Sequence, residues 1–300
     1  MEEFLITMLR LAVPLIICSS GALFSEKAGV INIGLEGLML SGALFGALGS
    51  YLTGSPWVGA GMAMAFSLLL SLIFAYFSIT VRANQIVLGV ALNILCSGLT
   101  ICLNRIFLTA NNVLKVNSFP KLVIPGLSRI PVIGVLFEQS LIAYAAYAMV
   151  FIGWFVYYKT DIGLKIRAVG DHPAACDTVG IDVNRLRYAT VLASGLLAGL
   201  AGAYISTGQL NNFSEGMISG RGFIAYAAVV FGNYTPLGVF RACMIFAFGM
   251  ALQYRFQAMD TVVSYYFWMM IPYIITIIAI CLYSKRSNAP KYAGAAYEKQ

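Results

Sequence analysis

Apolar residues in this chain come in long blocks separated by short polar breaks, without the strict alternation of a half-buried strand. A helix that crosses a bilayer needs roughly 20 mostly apolar residues. Such blocks run over 4–24, 57–80, 86–108, 139–158, 188–207, 236–256 and 262–283. Two more are damaged or short: 34–52, rich in glycine, and 222–234. The pattern predicts an all-α fold, a polytopic transmembrane helical bundle of about 8–10 spans that includes broken or re-entrant helices. No basic region with a short apolar core and an Ala-x-Ala site opens the chain, so 4–24 is expected to be a retained span.

Composition agrees with the pattern. Hydrophobic residues make up 60% of the 300 and charged residues 10%, against about 45–50% and 25% in soluble domains. The formal charge of +7 sits in residues that punctuate apolar blocks, which is how lysine and arginine set orientation in a lipid bilayer. No nucleic-acid partner is expected. The six cysteines (Cys18, Cys96, Cys102, Cys176, Cys243, Cys281) lack metal-type spacing and are expected to pack as small apolar groups.

Orientation follows from the loops. Residues 161–187 and their approach carry Lys159, Lys165, Arg167, Arg185 and Arg187, and the tail carries Lys285, Arg286, Lys291 and Lys299. Both are expected on the cytoplasmic side. The 109–138 loop then faces outward despite Lys115, Lys121 and Arg129. The chain thus divides into a transmembrane domain, 1–283, with a cytoplasmic loop at 161–187, and a polar tail, 284–300, expected to be solvated and loosely ordered.

The damaged segments share a plan. Each begins with glycines around one charge (Glu36-Gly37; Arg221-Gly222), continues through small apolar residues, and closes on proline and glycine (Pro56 and Gly59; Pro236-Leu237-Gly238). Interrupted segments at corresponding positions of two halves suggest an inverted repeat and point to a transporter's path. Asn32 can cap the helix starting near Gly34, leaving Glu36 in its first turn, where the helix dipole favours a carboxylate. The alternative places Glu36 on the path itself. Gln85 and Asn93, amides at the start and middle of one span, are open to the same two uses, a bond to a neighbouring helix or to a substrate. Arg221 is either an intramembrane functional charge or an interfacial anchor. With Phe223 and Tyr226 these residues form the candidate substrate path, suited to an uncharged, moderately polar molecule.

The 161–187 stretch has helical texture: an apolar pattern from Ile162, then a short helix begun by Pro173 and ended at Gly180. His172 is the only histidine and has no nucleophile or carboxylate pair beside it, so catalysis is not expected. GxxxxGK[ST], HExxH and GxSxG are all absent from the sequence. The chain is therefore expected to be no enzyme, to bind no metal and to hold no cofactor.

Four ordered stretches, AGVINIGLEGLMLSGA, ANQIVLGVALNIL, GLKIRAVGDHPAACDTVGIDV and GMISGRGFIAYAAVVFGNYTPLG, resemble the permease subunits of bacterial ABC importers for branched-chain amino acids, ribose and nucleosides. The last stretch is most similar to the shorter permease of nucleoside importers. The resemblance implies a subunit of the bacterial cytoplasmic (inner) membrane, forming half of a translocation path. It implies a second permease subunit in a heterodimer, a cytoplasmic ABC ATPase that uses the ATP, and an extracytoplasmic substrate-binding protein. Asp171, His172, Pro173, Ala174, Ala175, Gly180 and Ile181 would then form the loop that couples to the ATPase, although Pro173 departs from the alanine-glycine pattern of other importer permeases. A sugar or branched-chain amino acid permease and an ion-coupled secondary transporter are the alternatives.

Overall fold

The computed structural model describes residues 2–109, 116–123, 138–258 and 288–298, with scattered residues between 265 and 277. The expected span at 262–283, and Lys115 and Arg129 in the outer loop, lie largely or wholly outside these residues. The described chain is a helical bundle with one two-stranded antiparallel sheet, β1 (Lys121–Val123) with β2 (Glu138–Ser140). Among the described residues, seven helices are long and apolar enough to cross a membrane.

α1 (Glu2–Lys27) descends to the face that carries the basic loops, here the basic face. After a turn at 28–34, α2 (Leu35–Thr53) rises to the far face, and α3 (Pro56–Ala75) returns beside it, opened by proline at its first position. α4 (Gln85–Leu103) and α5 (Leu141–Lys159) cross next. α6 (Asp161–Asp171) and α7 (Pro173–Thr178) lie on the basic face, and α8 (Val183–Ala203) rises from it. α8 begins five residues before the expected 188 because Asp182 caps it, its carboxylate accepting the Arg185 amide at 3.0 Å. α9 (Arg221–Phe231) covers only part of the depth, and α10 (Pro236–Gln257) rises again.

α2 is the centre of the bundle. Its most apolar window is 78% buried, against 22% for α4, which leaves α4 facing lipid or another subunit. α2, α3 and α8 approach through small residues, since hydrocarbon gives no hydrophobic drive and close packing must hold the helices together. A methyl on Gly42 would strike Gly199, and one on Gly202 would strike the Met39 carbonyl. Ser67 Oγ adds a bond to the Leu38 carbonyl at 3.0 Å.

The contacts also fix direction. Gly42 meets Gly199 and Gly46 meets Ala203, so α2 and α8 run parallel. Gly21 meets Ser194 while the Arg187 guanidinium reaches Ala28, so α1 and α8 run antiparallel. α2 rises from its break and α9 descends from its own, each followed by a proline-opened helix returning the other way. That is the inverted relation of α1–α3 to α8–α10 which the two damaged segments predicted. Cys18, Cys96, Cys176 and Cys243 are free and buried; Cys102 is free and exposed.

Candidate functional site

The site is built where the two broken segments meet. A glycine-rich break inside a membrane must have its main-chain groups satisfied by protein or by a watery cavity. In the 28–34 turn protein does this. The Ile31 amide donates to Gln85 Oε1 at 2.8 Å, Asn32 N to Glu26 Oε1 at 3.3 Å, and Gly34 N to Asn32 Oδ1 at 3.0 Å. Asn93, midway along α4, accepts from Gly37 N at 2.8 Å and donates to the Ile33 carbonyl at 3.1 Å. Ser25 Oγ donates to the Val30 carbonyl, and Arg187 Nε to the Ala28 carbonyl. α4 thus supplies two amides, eight residues apart, that replace the helix bonds the break lacks.

Glu36 lies in the first turn of α2, as expected, but its carboxylate turns to a second helix. Oε1 accepts the Gly220 amide at 2.8 Å and Oε2 the Gly222 amide at 2.7 Å, at the start of α9. Gly220, at φ +82°, is a left-handed residue that serves glycine best. Its own side chain cannot cap the helix, so Glu36 caps it across the bundle. Gly222 has to be glycine for the approach, because a β-carbon there would lie 2.5 Å from the Glu36 Cα.

Arg221 is buried beside this clamp. Nη2 donates to the Tyr254 hydroxyl at 3.2 Å, and Nη1 has no hydrogen-bond partner among the described residues. Phe223 is exposed and Tyr226 half-buried against the core. With Ala227 and exposed Val230 they form one stripe along α9 at helical spacing. The structure therefore brings Glu36, Arg221 and Phe223 together at the start of α9, with Tyr226 a turn further. It places Gln85 and Asn93 on the back of the break, already bonded to main chain.

On the basic face, Pro173 opens α7 and is buried together with Cys176, while Ala174, Ala175, Thr178 and Val179 are exposed. Outside the spans, burial pushes the Cys176 thiol above its usual range. Gly180, at φ +83° with open space around it, turns the chain, and the Ile181 amide closes on the Cys176 carbonyl at 3.0 Å. Asp171 accepts the Lys291 amide at 3.3 Å, and the His172 ring stands edge-on to Tyr292 at 6.3 Å. Ile162 and Leu164, on α6, are also exposed.

The described part of the tail does not hang free. Residues 288–298 lie against this face, bonded to the ends of α1 and α6. Sequence reasoning read them as a solvated tail and Arg187 as an orientation charge, and it passed over Tyr254. The available signal was YAGAAY at 292–297, small residues between tyrosines, a composition suited to close packing rather than to solvent.

An inverted pair of discontinuous helices meeting at depth, carried by a polytopic bundle with a docked loop on one face, defines a membrane transport protein. The chain belongs to the family described as branched-chain amino acid transport system / permease component, whose model matches residues 4–280. It is a multi-pass permease of the ABC transporter type, a family of transport rather than of catalysis. It is 40% identical to the guanosine ABC transporter permease protein NupQ of Bacillus subtilis, covering 96% of this chain and 94% of that one. It is 34% identical to the nucleoside ABC transporter permease protein NupC of Lactococcus lactis (97% and 95%). Against the putative glucose ABC transporter permease protein TsgC13 of Haloferax volcanii it is 35% identical (83% and 76%). No solved structure matches the chain.

Proposed function

We propose that this chain is one of two permease subunits of a nucleoside importer of the bacterial cytoplasmic membrane. The observation that carries the reading is the 40% identity to a guanosine permease along nearly the whole of both chains. The geometry supports it: Glu36 fixes the start of α9, and α9 presents Phe223 and Tyr226, whose faces can stack on a base. One cation, Arg221, suits a neutral substrate better than an obligate anion. Gln85 and Asn93 serve the path by holding its wall in shape.

In this reading the basic face is cytoplasmic, and α7 with its exposed Ala174, Ala175 and Val179 seats on an ABC ATPase, which binds the ATP; this chain holds no cofactor. A different, homologous permease completes the path, and an extracytoplasmic binding protein delivers substrate. The test is reconstitution of this chain with its second permease, ATPase and binding protein in proteoliposomes. ATP-driven uptake of guanosine or another nucleoside, competed by nucleosides and not by pentoses or branched-chain amino acids, is expected. Competition by glucose alone would move the substrate to the sugar class and leave the architecture standing. Uphill uptake by this polypeptide without ATPase would overturn the permease-subunit reading.

A further inference from the structure

The last described stretch, 288–298, is spread over six separate parts of the basic face. The Asn288 amide donates to Asn233 Oδ1 at 2.6 Å, between α9 and α10, and its carbonyl accepts the Lys27 ammonium at 2.7 Å, at the end of α1. The Tyr292 amide donates to the Gly170 carbonyl at 3.0 Å, at the end of α6. The Gly294 amide donates to the Gly29 carbonyl at 3.0 Å, inside the turn that leads into α2. Tyr297 packs on Val169, Cys176 and Val183 beneath α7, and its hydroxyl donates to the Asp177 carboxylate. Glu298 forms an ion pair with Arg82, beyond α3.

Arg187 joins this stretch to the turn. It is 2% exposed, donating Nε to the Ala28 carbonyl at 3.1 Å and Nη1 to the Ala295 carbonyl at 3.0 Å. A buried guanidinium is tolerable only while its partners stay in place. These two carbonyls, bonded to two nitrogens of one planar group whose Nη2 has no hydrogen-bond partner among the described residues, are therefore held in a fixed relation to α8. Gly29, at φ +88°, passes so close that a β-carbon there would lie 3.0 Å from both Arg187 Nη2 and the Tyr292 carbonyl.

We propose that residues 288–298 are a strap, anchored by Arg187, that carries movement of α7 to the broken start of α2. The line of contact is continuous. Cys176 and Asp177 of α7 touch Tyr297, and Ala295 and Gly294 touch Arg187 and Gly29. Gly29 leads through Asn32 and Gly34 to Glu36, and Glu36 holds the start of α9. The links are hydrogen bonds and packed contacts, joined between Gly29 and Glu36 by a short run of main chain, and such networks can carry coupling between two arrangements of an element. The strap is a positioning element: it touches no substrate and no nucleotide. The inference rests on the reading of α7 as the seat of the ATPase.

The experiment uses the whole reconstituted complex and reads molecules imported per ATP hydrolysed. The unaltered complex must first show ATP-driven uptake; its failure to do so would count against the proposed function, before any variant is compared. With the chain ended after Ser287, membrane insertion, assembly and basal ATP hydrolysis are expected to persist, and the ratio to fall about tenfold. Arg187→Lys, which keeps the charge but loses the planar fork, and Tyr297→Ala are expected to lower it in the same direction. An unchanged ratio in the shortened chain overturns the strap. If that chain does not insert, the ratio in Arg187→Lys and Tyr297→Ala decides on the same terms. A disulfide between Tyr297→Cys and the native Cys176 separates strap from latch. Uptake that persists with the bond formed supports a strap travelling with α7. Uptake lost on oxidation and restored by reduction would mean that the tail must release, and would overturn it.

Discussion

Glu36 and Gly222 are 186 residues apart, yet the carboxylate of one holds the amide of the other at 2.7 Å. A second bond from the same carboxylate to Gly220 makes the contact a two-point clamp between the starts of α2 and α9. A charged acceptor at a helix N-terminus satisfies orphaned amides and the dipole together. The break before α9 is closed from α2, and the break before α2 from α4.

The clamp predicts a graded response. Glu36→Ala leaves two part-buried amides without this partner, at a cost of up to about 1–3 kcal/mol each. Glu36→Gln keeps one acceptor oxygen and loses the charge. Thermal unfolding of the detergent-purified chain should rank wild type above Gln and Gln above Ala. Equal stability of all three would show that the clamp holds nothing.

Asn93 is expected to act through shape. Asn93→Asp keeps the acceptor for the Gly37 amide and loses the donor to the Ile33 carbonyl; Asn93→Leu loses both. Uptake should fall in that order, while the binding protein's affinity for substrate, measured separately, stays the same. A Leu variant with unimpaired uptake would sink the idea that α4 holds the break.

Much of the fold was legible because the bilayer imposes a length. Blocks of about 20 apolar residues gave the long helices within a few positions, and the paired damage at Glu36-Gly37 and Arg221-Gly222 marked where the halves meet. The partners were not legible. Asn32 and Glu36 together looked like the cap and first turn of one helix, which local rules favour. Only the fold brings Gly220 to Glu36, and nothing local in the sequence sets that distance. The tail misled for a related reason. SNAPKYAGAAYEKQ is polar as a whole, and the small residues of YAGAAY within it hint at packing without saying where; 288–298 is held by main-chain bonds at Gly170 and Gly29, which composition does not locate. Arg187 looked like an orientation marker because its neighbour Arg185 is one, exposed and paired with Asp182.

The packing of α2 on α8 should tolerate no added bulk. In Gly202→Val the side chain would collide with the Met39 carbonyl, and α8 cannot retreat from α2 without parting Gly199 from Gly42. Overpacking of this kind costs about 1–3 kcal/mol or more. The chain should appear in the membrane at much reduced level, or aggregate when extracted. Normal yield and a monodisperse profile on size exclusion would contradict it.

Gly180 tests the loop by strain alone. Among the described residues, and apart from its own chain neighbours, no heavy atom lies within 4 Å of where its β-carbon would stand, so Gly180→Ala meets no crowding. Its φ of +83° is the difficulty, since a side chain in that region costs on the order of 1–2 kcal/mol. The turn that closes α7 through the Ile181 amide should then reset, changing the angle of α7 while insertion is unaffected. Substrate-stimulated ATP hydrolysis should drop by a few fold at an unchanged basal rate, and Gly180→Asn, which tolerates left-handed backbone better, should drop less. Equal rates in all three forms would remove the α7 turn from coupling.

The aromatic stripe of α9 is expected to set substrate class. Phe223 is 46% exposed although it stands one residue beyond the Glu36 clamp, so its ring is held by a fixed backbone and free on one side. A base stacking there gains about 1–3 kcal/mol, which in an importer's path must remain weak enough for release. Phe223→Ala should therefore lower nucleoside uptake at limiting substrate several-fold, and Phe223→Trp should retain it. Tyr226→Phe keeps the ring and removes the hydroxyl, so it should separate stacking from hydrogen bonding. Retained uptake in Tyr226→Phe with loss in Tyr226→Ala assigns the ring. Stability of each variant, followed by thermal unfolding, should stay within about 0.5 kcal/mol for the exposed Phe223 site. If Phe223→Ala takes up nucleosides at the wild-type rate, the α9 stripe is not the wall the substrate meets, and the path runs along another helix.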